Sequence, residues 1–590
     1  MITTAMMRTY THEHPSLGAL TGRLITQSLV SPTAQIVHFR SIPFAIIPSR
    51  FEPASLLGNI PETYDSRPAR DFTEYGSACP GRDQDSLAYG GPLAEDGKRT
   101  YDEFTCLNLT ISAPKAALER SAEAKLPVMV YMHGGAMTEG AGHIAPSHET
   151  TLMVALSVEE DMPVIIVSIH YRLSWLGFLT CQDLLDEAAA EGWEKSFNPG
   201  LWDQKLAFRW VSRFIDGFGG DASNITAFGE SGGSISLSHH LCADEPLFNR
   251  VILQSGVAGF TAENFEEHDA KYQRLLKHLN IDEDTREGRL TKLREVPASK
   301  LVEATAALDV SPYFPYLGAE DPMWPRGTPT YDHVNKLISE GSWCNEIIMG
   351  DTGFEGFMLT PVMNRADQQS FVQTFQDVLP SEDANKVLAC YGISENMDHN
   401  LFVTQASTLI GDLIFSEPIN RFVNAVAQTP SSEKKVYRYH FTPSNPFPGS
   451  EYSYVTGHHF LDILYLFLAF LERYPTHRNG FYARVAKDMA RKWISFANGR
   501  APWAESNADN GYAIAVCDDL RGWEVRTRDE DIETSRTDPW GERRYEGWQL
   551  LSDAMANAAK VGEDGMRCVQ DVRTKLLNLA SYARSQNGVD

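Results

Sequence analysis

Apolar residues along the chain fall into two kinds of run. The first kind is short and nearly continuous: "VMVYMH" (128–133), "VIIVSIHYR" (164–172), "ITAFG" (225–229), "RVILQSG" (250–256), "EIIMGDT" (346–352) and "KVYRYHF" (435–441). Runs that do not alternate fit strands buried on both faces. Between them lie segments with helical spacing. In "DQKLAFRWVSRFIDGFGG" (203–220), Leu206, Trp210, Val211 and Phe214 share one face, and Gly219-Gly220 marks the stop. Strands alternating with helices predict an α/β fold: a large, mostly parallel central sheet flanked by helices. No repeat or long linker divides the chain, so one domain is expected over 1–590. The segment 260–345, charged and helical in pattern, is expected to be a helical cap inserted within it. "QTPSSEKK" (428–435) reads as a surface loop.

Charge narrows the partners. The net charge is −26 at pH 7. That argues against nucleic acid and anionic membranes as main partners. The first residues, "MITTAMMRTYTHEHPSLGAL", lack a basic stretch followed by an apolar one, so a cytoplasmic protein is expected. The most apolar window, "FLDILYLFLAFL" (460–471), is too short for a bilayer and contains Asp462, so no membrane span is expected. The eight cysteines include no C-x-x-C spacing, which argues against a zinc framework.

One corner of the chain carries candidate chemistry. In "NITAFGESGGSISLSHHL" (224–241) a strand-like run breaks at Gly229, Ser231 follows, and a helix-capable run begins. Gly229-Glu230-Ser231-Gly232-Gly233 is the G-x-S-x-G pattern. Between a strand and a helix it presents a serine hydroxyl on a strained turn, with helical N–H groups beside it. A solvated serine in a glycine-rich turn is the plainer alternative. A nucleophilic serine also needs a base, an acid to orient the base, and oxyanion donors. His133-Gly134-Gly135-Ala136 follows an apolar strand and fits an oxyanion loop in which small residues let backbone N–H groups approach a substrate oxygen. Glu355 lies in a glycine-bounded loop after a strand, and His458 and His459 precede an apolar run. Alone, Glu355 reads more readily as a solvated surface carboxylate, and the histidine pair more often as structural than catalytic.

Together, "GESGG", "HGGA", "GFEG" and "HHFLDI", in this order, resemble the type-B carboxylesterases, the family of cholinesterases and some fungal lipases. The likeness covers nearly the whole chain. "GALTG" through "FRSIPFAIIPSRFEP" (18–53) resembles the family's N-terminal hairpin, and "CLNLTISAP" (106–114) its C-L-N-L strand. "NPGLWDQKLAFRWVSRFIDGFGGDASNITAFGESGG" (198–233) is similar to its central block, and "KWISFANGRAPW" (492–503) to a late helix and turn.

The resemblance implies an α/β-hydrolase fold and a carboxylic ester hydrolase using a Ser-His-Glu triad: Ser231 as nucleophile, Glu355 as acid, His459 as base. Asp462 matches the acidic residue three after the family's histidine, which selects His459 over His458. His458 is accordingly expected to be replaceable with little loss. An unperturbed histidine base titrates near pH 6.5. The implied oxyanion donors are the N–H groups of Gly135, Ala136 and Gly232. Glu230, Ser255 and Asp462 match a supporting polar network. Cys79 and Cys106 match a family disulfide, which leaves secretion open against the cytoplasmic expectation. Asn108-Leu-Thr110 and Asn224-Ile-Thr226 are glycosylation patterns, but both fall in expected strands and read as coincidence. The family's E-D-C-L is "EFTCL" here, so a salt-bridge carboxylate is displaced or lost. The tryptophan that binds choline in relatives, about ten residues before Cys106, is absent, against a cholinesterase. Small-molecule esters are the implied substrates, with no cofactor and no metal. Acyl transfer or lactone opening by the same triad, interfacial lipolysis, and a non-catalytic binding protein remain alternatives. The segment "SPYFPYLGAEDPMWP" (311–325) is expected to shape the substrate pockets.

Overall fold

The computed structural model describes residues 8–577, apart from 27, 63–69, 83–98, 145–146, 194–196, 260–264, 309–320, 342, 430–432, 476, 538–542 and 561–568. Most of the expected pocket segment 311–325 therefore lies outside the described residues.

A 12-stranded sheet runs through the molecule. Its strands, numbered along the chain, are β1 (Thr9–His14), β2 (Gly18–Ile25), β3 (Ile36–Pro43), β4 (Asn108–Pro114), β5 (Leu126–Met132), β6 (Ile165–Ile169), β7 (Gly220–Glu230), β8 (Arg250–Gln254), β9 (Glu346–Thr352), β10 (Lys435–Phe441), β11 (Ile514–Asp518) and β12 (Gly522–Arg526). The spatial order is β1-β2-β3-β4-β6-β5-β7-β8-β9-β10-β11-β12. From β6 through β11 every neighbouring pair is parallel. The pairs at both edges are antiparallel.

Each continuous apolar run becomes a strand of this sheet. All five residues of β6 are buried, as are six of the seven in β9. Such strands need cover on both faces, and two apolar layers supply it. One includes Trp210, Phe214, Leu237 and Ile419; the other includes Phe467, Trp493, Ile494 and Met489. The helix Pro199–Phe214 buries Trp210, Val211 and Phe214, continues as a 3-10 turn to Phe218, and ends at Gly219 with φ 84°. The apolar window at 460–471 becomes the buried helix Leu461–Leu466 and the turns after it. Among the described residues no helix is long and apolar enough to cross a membrane.

Two helical insertions interrupt the sheet. Between β8 and β9 lie Phe265–His278, Arg286–Glu295, Ala298–Ala307 and Val334–Gly341, within the segment expected to be helical. The second, between β9 and β10, includes Gln368–Val378, Ser381–Cys390, His399–Gly411 and Glu417–Gln428. It shares a third apolar core with the helices Tyr545–Lys560 and Val569–Leu577, through Phe375, Leu388, Phe402 and Leu551.

Candidate active site

Ser231 stands where β7 gives way to the helix Gly232–Leu241, with φ 54° and ψ −123°. A side chain in such a conformation costs roughly 1–3 kcal/mol, so the surroundings must impose it. They do so through close packing. A Cβ on Gly134 would sit 2.7 Å from both the carbonyl and Oε2 of Glu230, and one on Gly233 would sit 2.1 Å from the carbonyl of Met132. Only glycines let the 133–136 loop and the serine turn approach this closely. The Ser231 N–H donates to the Gln254 carbonyl at 2.9 Å, which ties the turn to β8.

The loop after β5 folds back on itself. The Gly135 carbonyl accepts N–H bonds from Thr138 and Glu139, and Tyr171 donates its hydroxyl proton to the His133 carbonyl at 2.9 Å. Gly135, Ala136 and Met137 all have positive φ, at 99°, 52° and 59°. The Ala136 nitrogen lies 3.0 Å from where a Cβ on Gly232 would project. Among the described residues no backbone carbonyl accepts from the Gly135 or Ala136 N–H. Gly232 opens a helix, so its N–H has no intrahelical acceptor. The Ala136 and Gly232 backbones thus meet at the serine turn.

Glu355 begins a 3-10 turn just beyond β9 and is buried. Its Oε1 accepts the Ser255 hydroxyl at 2.7 Å and the Thr352 N–H at 2.6 Å. Its Oε2 lies 2.5 Å from Nδ1 of His459. His459 projects from the turn ahead of the helix Leu461–Leu466, after residues 444–457 return from β10. Its other nitrogen, Nε2, lies 3.0 Å from Oε1 of Glu230, within ion-pair reach but off the line of an N–H bond. Burial disfavours the imidazolium, but Glu230 and Glu355 outweigh it and carry His459 up to about 10. That lies well above the 6.5 of an isolated histidine. No hydrogen bond joins Ser231 Oγ to His459 in this resting geometry, a looseness common without substrate.

Phe415 covers one face of the His459 ring, with centroids 4.7 Å apart. It sits in a π-helical turn, Asp412–Ser416, between the helices His399–Gly411 and Glu417–Gln428. Such turns occur often at functional sites. Nothing in the local sequence marks this contact.

The supporting residues do not form one hydrogen-bonded cluster. Ser255 serves Glu355, Glu230 faces His459, and Asp462 bonds elsewhere. Asp462 Oδ2 accepts from Gln254 Nε2 at 2.8 Å and from the Tyr439 hydroxyl at 3.0 Å. Trp493 Nε1 in turn donates to Gln254 Oε1 at 3.1 Å. Burial and the nearby Glu230 raise the Asp462 carboxyl to about 7. Gln254, Tyr439 and Trp493 escaped the sequence reading because their partners lie far along the chain.

The displaced carboxylate finds a partner: Glu103 accepts from Arg50 through both oxygens, at 2.5 and 2.6 Å. Cys79 and Cys106 are buried free thiols lying together. A hydrogen bond to Cys79, then burial, pushes the Cys106 thiol well up. Asn108 and Asn224 both lie in strands, their side chains engaged with Ser77 and Thr105 and with Arg250 respectively.

A large parallel sheet carrying a serine on a strained strand-to-helix turn, with an acid and a histidine on later strand-end loops, defines an α/β-hydrolase. The chain belongs to the carboxylesterase family, whose model matches residues 11–512, and it is a carboxylic ester hydrolase. It is 30% identical over 448 residues to the para-nitrobenzyl esterase of Bacillus subtilis (strain 168), covering 74% of this chain and 81% of that protein. It is also 30% identical over 431 residues to the inactive carboxylesterase-like protein VdtD of Byssochlamys spectabilis, covering 68% of this chain and 70% of that protein. A solved PNB esterase structure superposes with a TM-score of 0.66 at 25% identity, covering 90% of this chain and 99% of the other.

Proposed function

We propose that ester hydrolysis here runs through an acyl-enzyme on Ser231, with His459 as general base and Glu355 as its orienting acid. The observation that carries this reading is the buried bond from His459 Nδ1 to Glu355 Oε2, formed next to the strained serine turn. The Glu355 carboxylate accepts at Nδ1, so the lone pair of neutral His459 is on Nε2. For the reaction Nε2 turns from Glu230 to Ser231 Oγ and takes its proton as Oγ attacks the ester carbonyl. The carbonyl oxygen becomes an oxyanion facing the N–H groups of Gly135, Ala136 and Gly232. Losing one such donor typically costs about 3 kcal/mol of barrier. His459 then returns the proton to the leaving alcohol, and a water molecule, deprotonated the same way, releases the acid.

One experiment tests the triad: turnover of aryl esters of graded acyl length by the native chain, Ser231→Ala and His459→Ala. Turnover that both variants abolish, with thermal unfolding unchanged, supports the reading. Turnover that survives in either variant overturns it.

A further inference from the structure

His458 is buried, yet it touches neither Ser231 nor Glu355 by any hydrogen bond. It is engaged at both ring nitrogens. Nδ1 lies 2.8 Å from the carbonyl of His459, its own neighbour. A carbonyl can only accept, so Nδ1 carries the proton. Nε2 lies 2.9 Å from Nδ2 of Asn445. That amide nitrogen is a donor, because Asn445 Oδ1 accepts the Phe447 N–H at 3.0 Å. Both contacts therefore require the same neutral tautomer, and burial favours it by lowering His458 to about 4.

The ring also joins two loops. Phe354, the residue before Glu355, pairs with His458 as an isolated β-bridge, and its N–H donates to Gly457 at 2.8 Å. Phe357 from the Glu355 turn and Tyr452 from the His459 loop pack on His458, with centroids 5.6 and 5.5 Å away. They also meet each other edge-on at 4.7 Å. Just beyond, Phe460 takes φ 74° and the chain turns into its helix. The His459 peptide thus joins this bridged loop to the helix, and among the described residues its carbonyl accepts from His458 Nδ1.

We propose that His458 is a positioning residue: by holding the His459 carbonyl and bridging to the Glu355 loop, it fixes where the His459 imidazole stands. This rests on the triad reading above, and it replaces the sequence expectation that His458 is dispensable. The reach of the effect follows from geometry, since displacing a reacting group by about 1 Å costs on the order of 100-fold in rate.

Three variants separate the hydrogen bond from the ring's bulk. His458→Phe keeps the ring and loses both nitrogens. His458→Asn places an amide nitrogen where Nδ1 was and keeps the donor to His459. His458→Gln puts its amide one bond too far for that carbonyl. The readouts are kcat and KM on an aryl acetate, and the low-field proton resonance of the His459 Nδ1–H. Expected for His458→Phe is a kcat lowered by roughly 10- to 100-fold with KM within about twofold, and a broadened or lost resonance. His458→Asn should recover most of both. Native kcat with an undisturbed resonance in His458→Phe overturns the proposal. If His458→Phe does not fold, the amide pair decides: Asn above Gln by about tenfold or more supports it, and equal rates overturn it. Ser231→Ala and His459→Ala run alongside. If they keep turnover, the triad reading fails, while the resonance in the His458 variants still reports whether His458 holds His459.

Discussion

Nε2 of His459 lies 3.0 Å from Oε1 of Glu230, while Nδ1 is engaged by Glu355 on the other side. One imidazole is therefore held between two buried carboxylates. Both favour the imidazolium, and together they outweigh burial. A general base must be neutral, so a raised His459 means that activity appears only as pH climbs through its ionisation. We expect the acid limb of kcat/KM, which reports the free enzyme, to lie above the 6.5 of an ordinary histidine. Glu230→Gln removes one anion, so the imidazolium is held less tightly and the limb moves to lower pH, by about one unit or more. Overlaid pH–rate profiles of the two proteins check this. Limbs that coincide show that Glu230 does not set the base.

Ser255 acts one step further back. Its hydroxyl donates to Glu355 Oε1, leaving Oε2 for His459. A hydrogen bond to a carboxylate contributes about 1.5–3 kcal/mol, and Thr352 N–H supplies a second donor to the same oxygen. Ser255→Ala is expected to lower kcat by about tenfold with little change in KM, because the loss reaches the base and not the bound ester. Steady-state kinetics decide it. A rise in KM at constant kcat would place Ser255 in substrate binding instead.

Fold stability has its own buried ion pair. Arg172 donates to Asp203 through Nε at 2.7 Å and Nη2 at 2.8 Å, and its N–H donates to the same carboxylate at 3.1 Å. Both side chains are almost fully buried. Asp203→Ala leaves a guanidinium without its counter-ion and is expected to cost about 3–5 kcal/mol. Adding Arg172→Met should recover part of that loss, because a buried apolar residue has no charge to desolvate. Urea unfolding of native, single and double variants measures it. A single variant within about 0.5 kcal/mol of native would show that Arg172 finds another partner.

How much of this could be read from the chain depended on the range of the interaction. The continuous apolar runs at 346–352 and 435–441 become β9 and β10 with those same ends, because a doubly buried strand writes its requirement locally. The serine turn was legible for the same reason: glycine is demanded at neighbouring positions. Within "HHFLDI" the motif register separated His459, which faces Glu355, from His458, which faces Asn445. What the chain did not disclose depends on partners far away. Phe415 reaches His459 from a π-helical turn whose residues still look helical. Glu103 recovers its salt bridge from Arg50, 53 positions earlier. Asp462 bonds not to Glu230 or Ser255 but to Gln254 and Tyr439, 208 and 23 positions away. The second helical insertion packs on helices from the C-terminal segment, a pairing that no local period encodes.

Ala136 gives the sharpest test of selectivity. It holds φ 52° beside Gly232. An alanine in this left-handed region costs roughly 1–2 kcal/mol over glycine. Ala136→Gly removes that strain but adds freedom to the unfolded chain, worth about 0.4–1 kcal/mol in the other direction. Overall stability should therefore change little, and kinetics can be compared directly. The donor N–H is untouched, so turnover of a primary alkyl acetate should persist. The methyl group, at a partly exposed position, takes up space beside the proposed oxyanion donors, where a branched alcohol would crowd it. We expect the native chain to favour esters of primary and secondary alcohols over tertiary ones. Ala136→Gly should shift the tertiary-to-primary ratio of kcat/KM toward the tertiary ester by about fivefold or more, equivalent to about 1 kcal/mol. A ratio that stays put while the primary ester is still hydrolysed means that the methyl faces the wall of the site and that crowding arises elsewhere.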